Sequence, residues 1–331
     1  MSRSQGQANL NTHWTQIEEA GSALGMRFMM LVHRLLGRLP FRLVLWPVVT
    51  WYFVLNSRAR AASTEYLQRV GTAPTGWFGS WRHFVSFGET LLDKLLAMSG
   101  RYNFHKVHIE GLADLERATA DGRGALLITA HVGNLELCRA LAARHPTLKL
   151  TILVFTKHAE KFNRMIARLN PGAQVELMQV TDINPATILH LSERIARGEL
   201  VVISGDRIPV SENPRVAEVD FLGHKAAFAV GPYILASLLQ CPVVVLFCVR
   251  ARHNAQFNYR VIFQHFSDLV QLPRASRDAA CQQLAQDFAN RLATLCRDTP
   301  LEWFNFYPFW AMPTSLGNAS RNTPITQSKP S

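Results

Sequence analysis

The sequence predicts an α/β fold with a mostly parallel central sheet flanked by helices. Short apolar runs alternate with segments of helical periodicity between Ala125 and Ser204, and this alternation is typical of βαβ units. The first run, residues 125–130, carries no charge, as expected of a strand that is buried on both faces. A buried strand over residues 242–249 and an alternating, more exposed strand over residues 257–264 extend the pattern before a long helix that closes the domain.

Length and composition limit the class of protein. The 331 residues, 48% of them hydrophobic, suffice for one α/β domain of about 250 residues. Lysine and arginine outnumber aspartate and glutamate by 35 to 24, so the net charge is +11. Such a basic chain suits three kinds of partner: nucleic acid, an anionic bilayer surface or an acidic carrier protein. The five cysteines lack metal-ligand spacing, so we predict buried free thiols in a reducing compartment and no metal site.

The N-terminal segment is predicted to be helical and membrane-associated. The first twenty residues lack the apolar stretch of a cleavable signal peptide. Arg27, Arg34 and Arg38 fall on one helical face beside apolar residues, which is the pattern of a basic amphipathic helix on an anionic membrane. Pro40 is expected to break this helix.

An almost wholly apolar run follows over residues 43–55. At 13 residues it is shorter than the roughly 20 needed to span a bilayer, and Pro47 interrupts it. We predict an in-plane or shallow anchor, with a pair of ordinary core helices as the alternative. The predicted organisation is a polar leader and membrane-associated segment over 1–62, an α/β domain over 63–313 and a disordered tail over 314–331.

His131 and Glu136 are the candidate catalytic pair. His131 stands where the first strand ends, and Glu136 falls in the first turn of a helix that begins at Leu135. Gly133 would allow a turn that brings the two side chains together. A carboxylate on one ring nitrogen fixes the tautomer of an imidazole and makes the other nitrogen a stronger base. The pair therefore predicts a general base that deprotonates a hydroxyl or an amine.

A second group of polar residues ends another predicted strand. The apolar run 200–204 is followed by Gly205, Asp206 and Arg207, and charged residues at the carboxyl end of a strand lie where α/β folds bind ligands. Backbone N–H groups in the turns after both strands are candidates for an oxyanion hole. Gly205 and Asn134, which lie in these turns, are predicted with Asp206 and Arg207 to bind substrate.

Residues 131–136, His-Val-Gly-Asn-Leu-Glu, resemble the His-x-x-x-x-Asp/Glu motif of the lysophospholipid acyltransferase superfamily. The order of the later features is more specific: Asp206 after a strand, Phe-Leu-Gly over 221–223, Gly-Pro over 231–232 and Pro-Val-Val over 242–244. In this order the chain looks most like the late acyltransferases of lipid A biosynthesis and their relatives. The resemblance extends over most of the chain.

The resemblance implies roles for individual residues. His131 would be the general base, Glu136 would orient it, and Asp206 matches the acid of the family. The neighbour of that acid is usually glutamine, whereas this chain has Arg207, which suits a phosphate or phosphopantetheine group. Arg164 is the best local match to the arginine that holds a phosphate in the superfamily.

The C-terminal aromatic segment also resembles the family but departs from it. Residues 302–310 match the tryptophan-rich end of the family and lack its basic residues. The departure leaves open an acceptor other than lipid A. The segment itself is expected to be either a packed C-terminal cap or an interfacial aromatic cluster.

The predicted function is a membrane-associated acyltransferase at the cytoplasmic face of the bacterial inner membrane. The resemblance implies transfer of a fatty acyl group from acyl carrier protein or acyl-CoA to a hydroxyl or amine of a lipid or glycolipid acceptor. No cofactor is expected beyond the acyl thioester co-substrate, and no nucleic acid is expected as a partner. The acyl tail would need an apolar groove, which the sheet and residues 221–239 could line.

Two alternatives stay open at this point. A basic α/β domain that binds nucleic acid or nucleotides would explain the charge, but the sequence has no glycine-rich phosphate loop and no RNA-binding aromatic signature. A non-catalytic lipid-binding scaffold of the same fold would not need both His131 and Glu136.

Overall fold

The computed structural model describes Leu35 and residues 37–98, 100–144, 148–154, 175–179, 184–208, 214–251 and 256–311. Several predictions concern residues outside these ranges. They are the phosphate contact of Arg164, the basic face of Arg27 and Arg34, and the tail after residue 313.

Three helices open the described part of the chain: α1 (Arg38–Leu55), α2 (Ser57–Val70) and α3 (Gly76–Met98). Pro40 does not break a helix, contrary to the prediction, because it lies in the first turn of α1, where a backbone N–H has no intrahelical acceptor. Pro47 lies inside α1, which continues past it. The predicted boundary between residues 62 and 63 falls within α2, so a continuous helix joins the two predicted segments.

Helix α1 packs on α3 through one stripe and leaves the opposite stripe exposed. Phe41, Leu45, Val49 and Phe53 recur every four residues and are buried in a cluster that includes Phe84 of α3. The opposite face of α1 exposes large apolar side chains, namely Leu43, Trp46, Val48, Trp51, Val54 and Leu55. Within the described ranges, no helix combines the length and hydropathy required to cross a bilayer.

A seven-stranded mixed sheet forms the centre of the molecule, which confirms the predicted fold class. Its strands are β1 (Val107–Glu110), β2 (Leu126–Thr129), β3 (Leu150–Val154), β4 (Val175–Gln179), β5 (Leu200–Ser204), β8 (Val243–Arg250) and β9 (Tyr259–Ser267). The order across the sheet is β1-β9-β8-β2-β5-β3-β4. The five strands from β8 to β4 are parallel, whereas β9 is antiparallel to β8 and parallel to β1.

Helices cover both faces of the sheet. They are α4 (Leu112–Ala118), α5 (Leu135–Ala142), α6 (Pro185–Ala196), α7 (Gly231–Leu239) and α8 (Arg277–Asp298). Side chains alternate between two cores: Leu126 and Ile128 of β2 join the core under α6, α7 and α8, while Leu127 joins the core under α4 and α5. The predicted burial of β2 on both faces is therefore confirmed. All five cysteines are free and buried.

A two-stranded hairpin lies outside the central sheet. Its strands are β6 (Val216–Phe221) and β7 (His224–Ala229). The Gln286 side chain of α8 accepts the Asp220 N–H and donates to the Asp220 carbonyl, so α8 bonds the backbone of β6. The Phe-x-Gly sequence singled out above ends β6 and forms the hairpin turn.

Candidate active site

The carboxyl ends of β2 and β5 bring His131 and Asp206 together. These strands are parallel neighbours in which Thr129 lies opposite Ser204, and the Gly205 N–H donates to the Thr129 carbonyl at 2.8 Å. His131 and Asp206 each lie two residues beyond the Thr129–Ser204 pair. They therefore meet at the carboxyl ends of the parallel strands, where α/β folds bind ligands, although they are 75 positions apart in sequence.

Asp206 is a buried carboxylate that faces four polar hydrogens. Its Oδ1 is 2.8 Å from His131 Nδ1 and accepts the Ser204 hydroxyl at 2.7 Å. Its Oδ2 accepts the His131 backbone N–H at 2.9 Å and the Trp303 indole N–H at 3.0 Å. Burial alone would raise the pKa of Asp206, but the charge and hydrogen bonds of His131 and the charge of Arg207 hold that pKa well below its usual range. Asp206 is therefore ionised at neutral pH.

The ionised carboxylate fixes the tautomer of His131. A carboxylate can only accept, so Nδ1 of His131 carries a proton, and in the neutral ring Nε2 keeps a lone pair. Nε2 has no hydrogen-bond or ion-pair partner among the described residues, and the His131 side chain is 35% exposed. The arrangement has the chemistry of a general base: a ring held from one side, with its basic nitrogen accessible from the other.

Ser204 is placed to support the carboxylate and not to act as a nucleophile. Its Oγ is 3.1 Å from His131 Nδ1 and donates to Asp206 Oδ1, so it lies on the carboxylate side of the ring. A serine nucleophile must give its proton to the basic nitrogen of the histidine, which here is Nε2. Ser204 therefore lacks the contact with Nε2 that a serine nucleophile needs.

Glu136 does not hold the His131 ring, which corrects the prediction made from the motif. Glu136 lies in the first turn of α5, where it pairs with Lys94 of α3 at 3.2 Å and with Arg139 one turn later. No ion pair joins Glu136 to His131 in the described part of the chain, because the ring turns toward β5 and Asp206 binds its Nδ1. Burial would raise the pKa of Glu136, but the charges of Lys94 and Arg139 lower it overall, so Glu136 is ionised.

The turn between β2 and α5 is held by the chain around it. Asn134 is the N-cap of α5, since its Oδ1 accepts the Leu137 N–H at 3.3 Å, and its backbone N–H donates to the Cys248 carbonyl at 2.8 Å. The Asn134 side chain is buried, and its amide nitrogen has no hydrogen-bond partner within the described ranges. Its predicted contact with substrate stays a prediction.

Arg207 and Gly205 complete the set of predicted binding residues that the structure describes. The Arg207 guanidinium lies over the Tyr307 ring, 5.8 Å from its centroid, and adds positive charge beside the His131–Asp206 pair. A Cβ on Gly205 would approach Ile128 Cγ2 and Phe288 Cε1 at 2.9 Å, so glycine lets the end of β5 pack closely on α8. A direct role of either residue in binding substrate stays a prediction.

Two functional candidates were missed by the sequence analysis: Ser204, as a donor to Asp206, and Trp303. Ser204 was noted only as the last residue of a strand, although a polar residue at the carboxyl end of a strand itself indicates a ligand-binding position. Trp303 was expected in a cap or an interfacial cluster, and it is fully buried and bonded to Asp206. No local pattern in the sequence links Trp303 to a residue 97 positions away.

The segment that was expected to line an acyl groove is largely core. Phe221, Phe228 and Tyr233 are fully buried, and Phe221 packs in the aromatic cluster around Trp303 with ring centroids 5.3 Å apart. Within the residues that the structure describes, no group of three or more histidine, cysteine, aspartate or glutamate side chains could hold a metal ion.

Comparison with known protein families shows which family the chain matches. The family described as bacterial lipid A biosynthesis acyltransferase matches residues 89–311, which is 223 of the 331 residues. The match begins in α3, contains the whole central sheet and ends after the aromatic C-terminal segment. No curated protein matches the chain.

Proposed function

This chain belongs to the bacterial lipid A biosynthesis acyltransferase family, and from that membership we propose that it moves a fatty acyl group from an acyl thioester to a hydroxyl or amine of a lipid or glycolipid acceptor. The donor is acyl carrier protein or acyl-CoA. One observation supports the proposal above the others: His131 Nε2, at the carboxyl end of the sheet, has no partner among the residues that the structure describes, while Asp206 holds Nδ1.

The proposed reaction is a single displacement. The acceptor hydroxyl or amine gives its proton to His131 Nε2 as its oxygen or nitrogen attacks the thioester carbonyl. The ionised Asp206 stabilises the imidazolium that forms, because its Oδ1 already faces Nδ1–H. The carbon–sulfur bond then breaks, and the leaving thiolate takes the proton from Nε2. Arg207 adds a positive charge at this edge of the sheet that suits the phosphate of a carrier or an acceptor.

Glu136 enters the proposal in a different role from the one expected. It is the ionised partner of Lys94 and Arg139 beside the turn that carries His131. Arg139 is buried, and removal of the carboxylate charge that faces its guanidinium would destabilise the first turns of α5. Glu136 therefore keeps the turn and the helix in place while Asp206 orients the base.

The proposed function predicts that the protein releases thiol from an acyl thioester only when an acceptor lipid is present. The wild-type protein is incubated with an acyl thioester and a lipid fraction, and the free thiol and the mass of the lipid are measured. We expect a gain of one acyl group in the lipid, and we expect His131→Ala to lower the rate by roughly 10²–10⁴-fold. Folded His131→Ala protein with near wild-type turnover, or wild-type protein that releases no thiol in response to acceptor, would contradict the proposal.

We further propose that the exposed face of α1 and the start of α3 contact the cytoplasmic surface of the inner membrane. Trp51, Trp77 and Phe78 are each more than half exposed. Trp81 joins the two helices, since it contacts Trp46 of α1 and stacks on Phe78 of α3. The exposed Arg82 lies over the Phe78 ring and supplies a positive charge at the edge of this apolar face.

Membrane association is expected to depend on the tryptophans of this face. Trp51→Ser combined with Trp77→Ser should weaken co-sedimentation with phosphatidylglycerol-containing vesicles roughly 10- to 100-fold, because each indole would otherwise bury apolar area in the bilayer. Leu189→Ser is the control, since Leu189 is 63% exposed on α6, which packs on α7 and β5. Equal binding of the double variant and the control would exclude this face as the membrane contact.

A further inference from the structure

The C-terminal segment 302–304 pairs with the turn that carries His131. The Glu302 carbonyl accepts the Gly133 N–H at 2.7 Å, and the Phe304 N–H donates to the His131 carbonyl at 3.1 Å. Between these two bonds, Trp303 forms an antiparallel bridge with Val132. The backbone that carries the base is therefore fixed on one side by β8 and on the other by residues 302–304.

The Trp303 indole is held so that its N–H reaches Asp206. Its side chain is fully buried, and Nε1 donates to Asp206 Oδ2 at 3.0 Å. Four aromatic rings pack against it, with centroids 5.0 Å (Tyr66), 5.3 Å (Phe221), 4.8 Å (Phe309) and 6.0 Å (Trp310) from the indole. Because the packing leaves the indole one orientation, its N–H is a preorganised donor to the carboxylate.

The backbone of Trp303 is fixed as well. His83 Nε2 is 3.0 Å from the Trp303 carbonyl, and His83 Nδ1 is 3.0 Å from Ser63 Oγ. A carbonyl can only accept, so Nε2 of His83 carries the proton and Nδ1 accepts from Ser63. Both His83 and Ser63 are fully buried. Helices α2 and α3 thus hold the residue that in turn holds Asp206.

We infer that Trp303 is a positioning residue for the His131–Asp206 pair. The inference rests on the proposed acyl transfer. The indole N–H donates a hydrogen bond to Asp206 Oδ2. This bond restrains rotation of the carboxylate and keeps Oδ1 facing His131 Nδ1. Trp303 acts through Asp206 and touches no substrate, because it is sealed inside the aromatic cluster. Loss of the donor therefore changes the population of the reactive tautomer of His131 without changing the surface that substrates meet.

The test replaces only the donor. Trp303 is exchanged by codon suppression for 3-benzothienylalanine, in which a sulfur atom takes the place of the indole N–H and the ring shape is nearly kept. We expect kcat to fall roughly tenfold with KM unchanged. With ¹⁵N-labelled histidine, the signals of His131, assigned by their loss in His131→Ala, should change from a single Nδ1–H tautomer to a mixture.

Trp310 provides the matched control. It lies in the same cluster, 6.0 Å from the Trp303 ring, and its Nε1 donates to the Phe221 carbonyl at 3.3 Å and not to Asp206. The same replacement at Trp310 should leave kcat and the His131 signals unchanged. Trp303→Phe compared with Trp310→Phe repeats the contrast with natural residues.

The outcomes separate this inference from the proposed function. An unchanged kcat and a single His131 tautomer in the Trp303 analogue would overturn the positioning role, even where His131→Ala abolishes transfer. Equal losses in the two analogues would also overturn it, since they would reflect packing of the cluster alone. Retained transfer in His131→Ala would instead contradict the proposed function.

Discussion

Asp206→Asn is expected to lower kcat by about 10⁴-fold in a protein that still folds. All four neighbours of the carboxylate present hydrogens: His131 Nδ1–H, Ser204 Oγ–H, the His131 backbone N–H and the Trp303 indole N–H. An amide has one accepting oxygen. If that oxygen faces the backbone and the indole, the NH₂ group faces Nδ1, and His131 must move its proton to Nε2. A ring protonated at Nε2 cannot accept the proton of the acceptor.

The opposite orientation of the amide also fails. The oxygen would then face Nδ1, and the NH₂ group would meet two buried N–H donors, which leaves polar hydrogens unsatisfied in the core. The measurements are single-turnover acyl transfer and the histidine ¹⁵N spectrum. Asp220→Asn is the control, because this carboxylate is 65% exposed on the hairpin and pairs only with lysine among its described contacts.

Glu136→Gln tests whether Glu136 or Asp206 orients the His131 ring. If Glu136→Gln shifts the His131 tautomer and Asp206→Asn does not, the acid of the motif holds the ring and the assignment of Asp206 is wrong. We expect Glu136→Gln to act on stability, because it leaves Lys94 and the buried Arg139 without their carboxylate. Its His131 tautomer should match that of the wild-type protein.

The depressed pKa of Asp206 also sets the sign of a pH effect on stability. A carboxyl whose pKa is lower in the folded than in the unfolded chain stabilises the fold above the unfolded pKa, and this contribution is lost as the pH falls through the folded pKa. The difference in unfolding free energy between wild type and Asp206→Asn should therefore shrink as the pH is lowered below the ordinary carboxyl range. Denaturant unfolding at several acidic pH values measures it.

The fold was predictable because its strands carry local signals. The runs that became β2 and β5 are apolar and short, and both ended close to the predicted residues. The position of His131 and Asp206 beyond those strands followed from the same runs. Their contact did not, because it requires β2 and β5 to be neighbours in the register Thr129 opposite Ser204, and pairing of strands across 75 positions leaves no periodic mark in a sequence.

The error over Glu136 has the same origin. The motif places Glu136 near His131 in sequence, and a turn at Gly133 made a contact plausible. Helix α5 begins at Leu135, as predicted, but Glu136 pairs with two cations, one from α3 and one from the next turn of its own helix. A spacing of five residues limits the distance between two side chains, but competition from Lys94, Arg139 and Asp206 decides which contacts form.

Gly133→Ala is expected to destabilise the fold by more than about 3 kcal/mol and to abolish acyl transfer. Gly133 has a φ of +61°, and a Cβ placed there would lie 1.8 Å from the Cys248 carbonyl oxygen. That oxygen belongs to β8, a buried strand paired on both sides, and it already accepts the Asn134 N–H. Either β8 or the turn must move, and a move of the turn displaces His131.

Gly223→Ala measures the cost of a positive φ without the Cβ clash that Gly133→Ala also causes. Gly223 has a φ of +81° in the hairpin turn, and a Cβ there would meet nothing within 4 Å. Gly223→Ala should therefore lower the free energy of unfolding by only about 1 kcal/mol, which is the cost of an alanine in the left-handed region, and the variant should keep full activity. Urea unfolding of both variants, with transfer assayed under folded conditions, measures the difference. Equal costs at the two glycines would mean that the close approach of β8 to the His131 turn does not constrain the site.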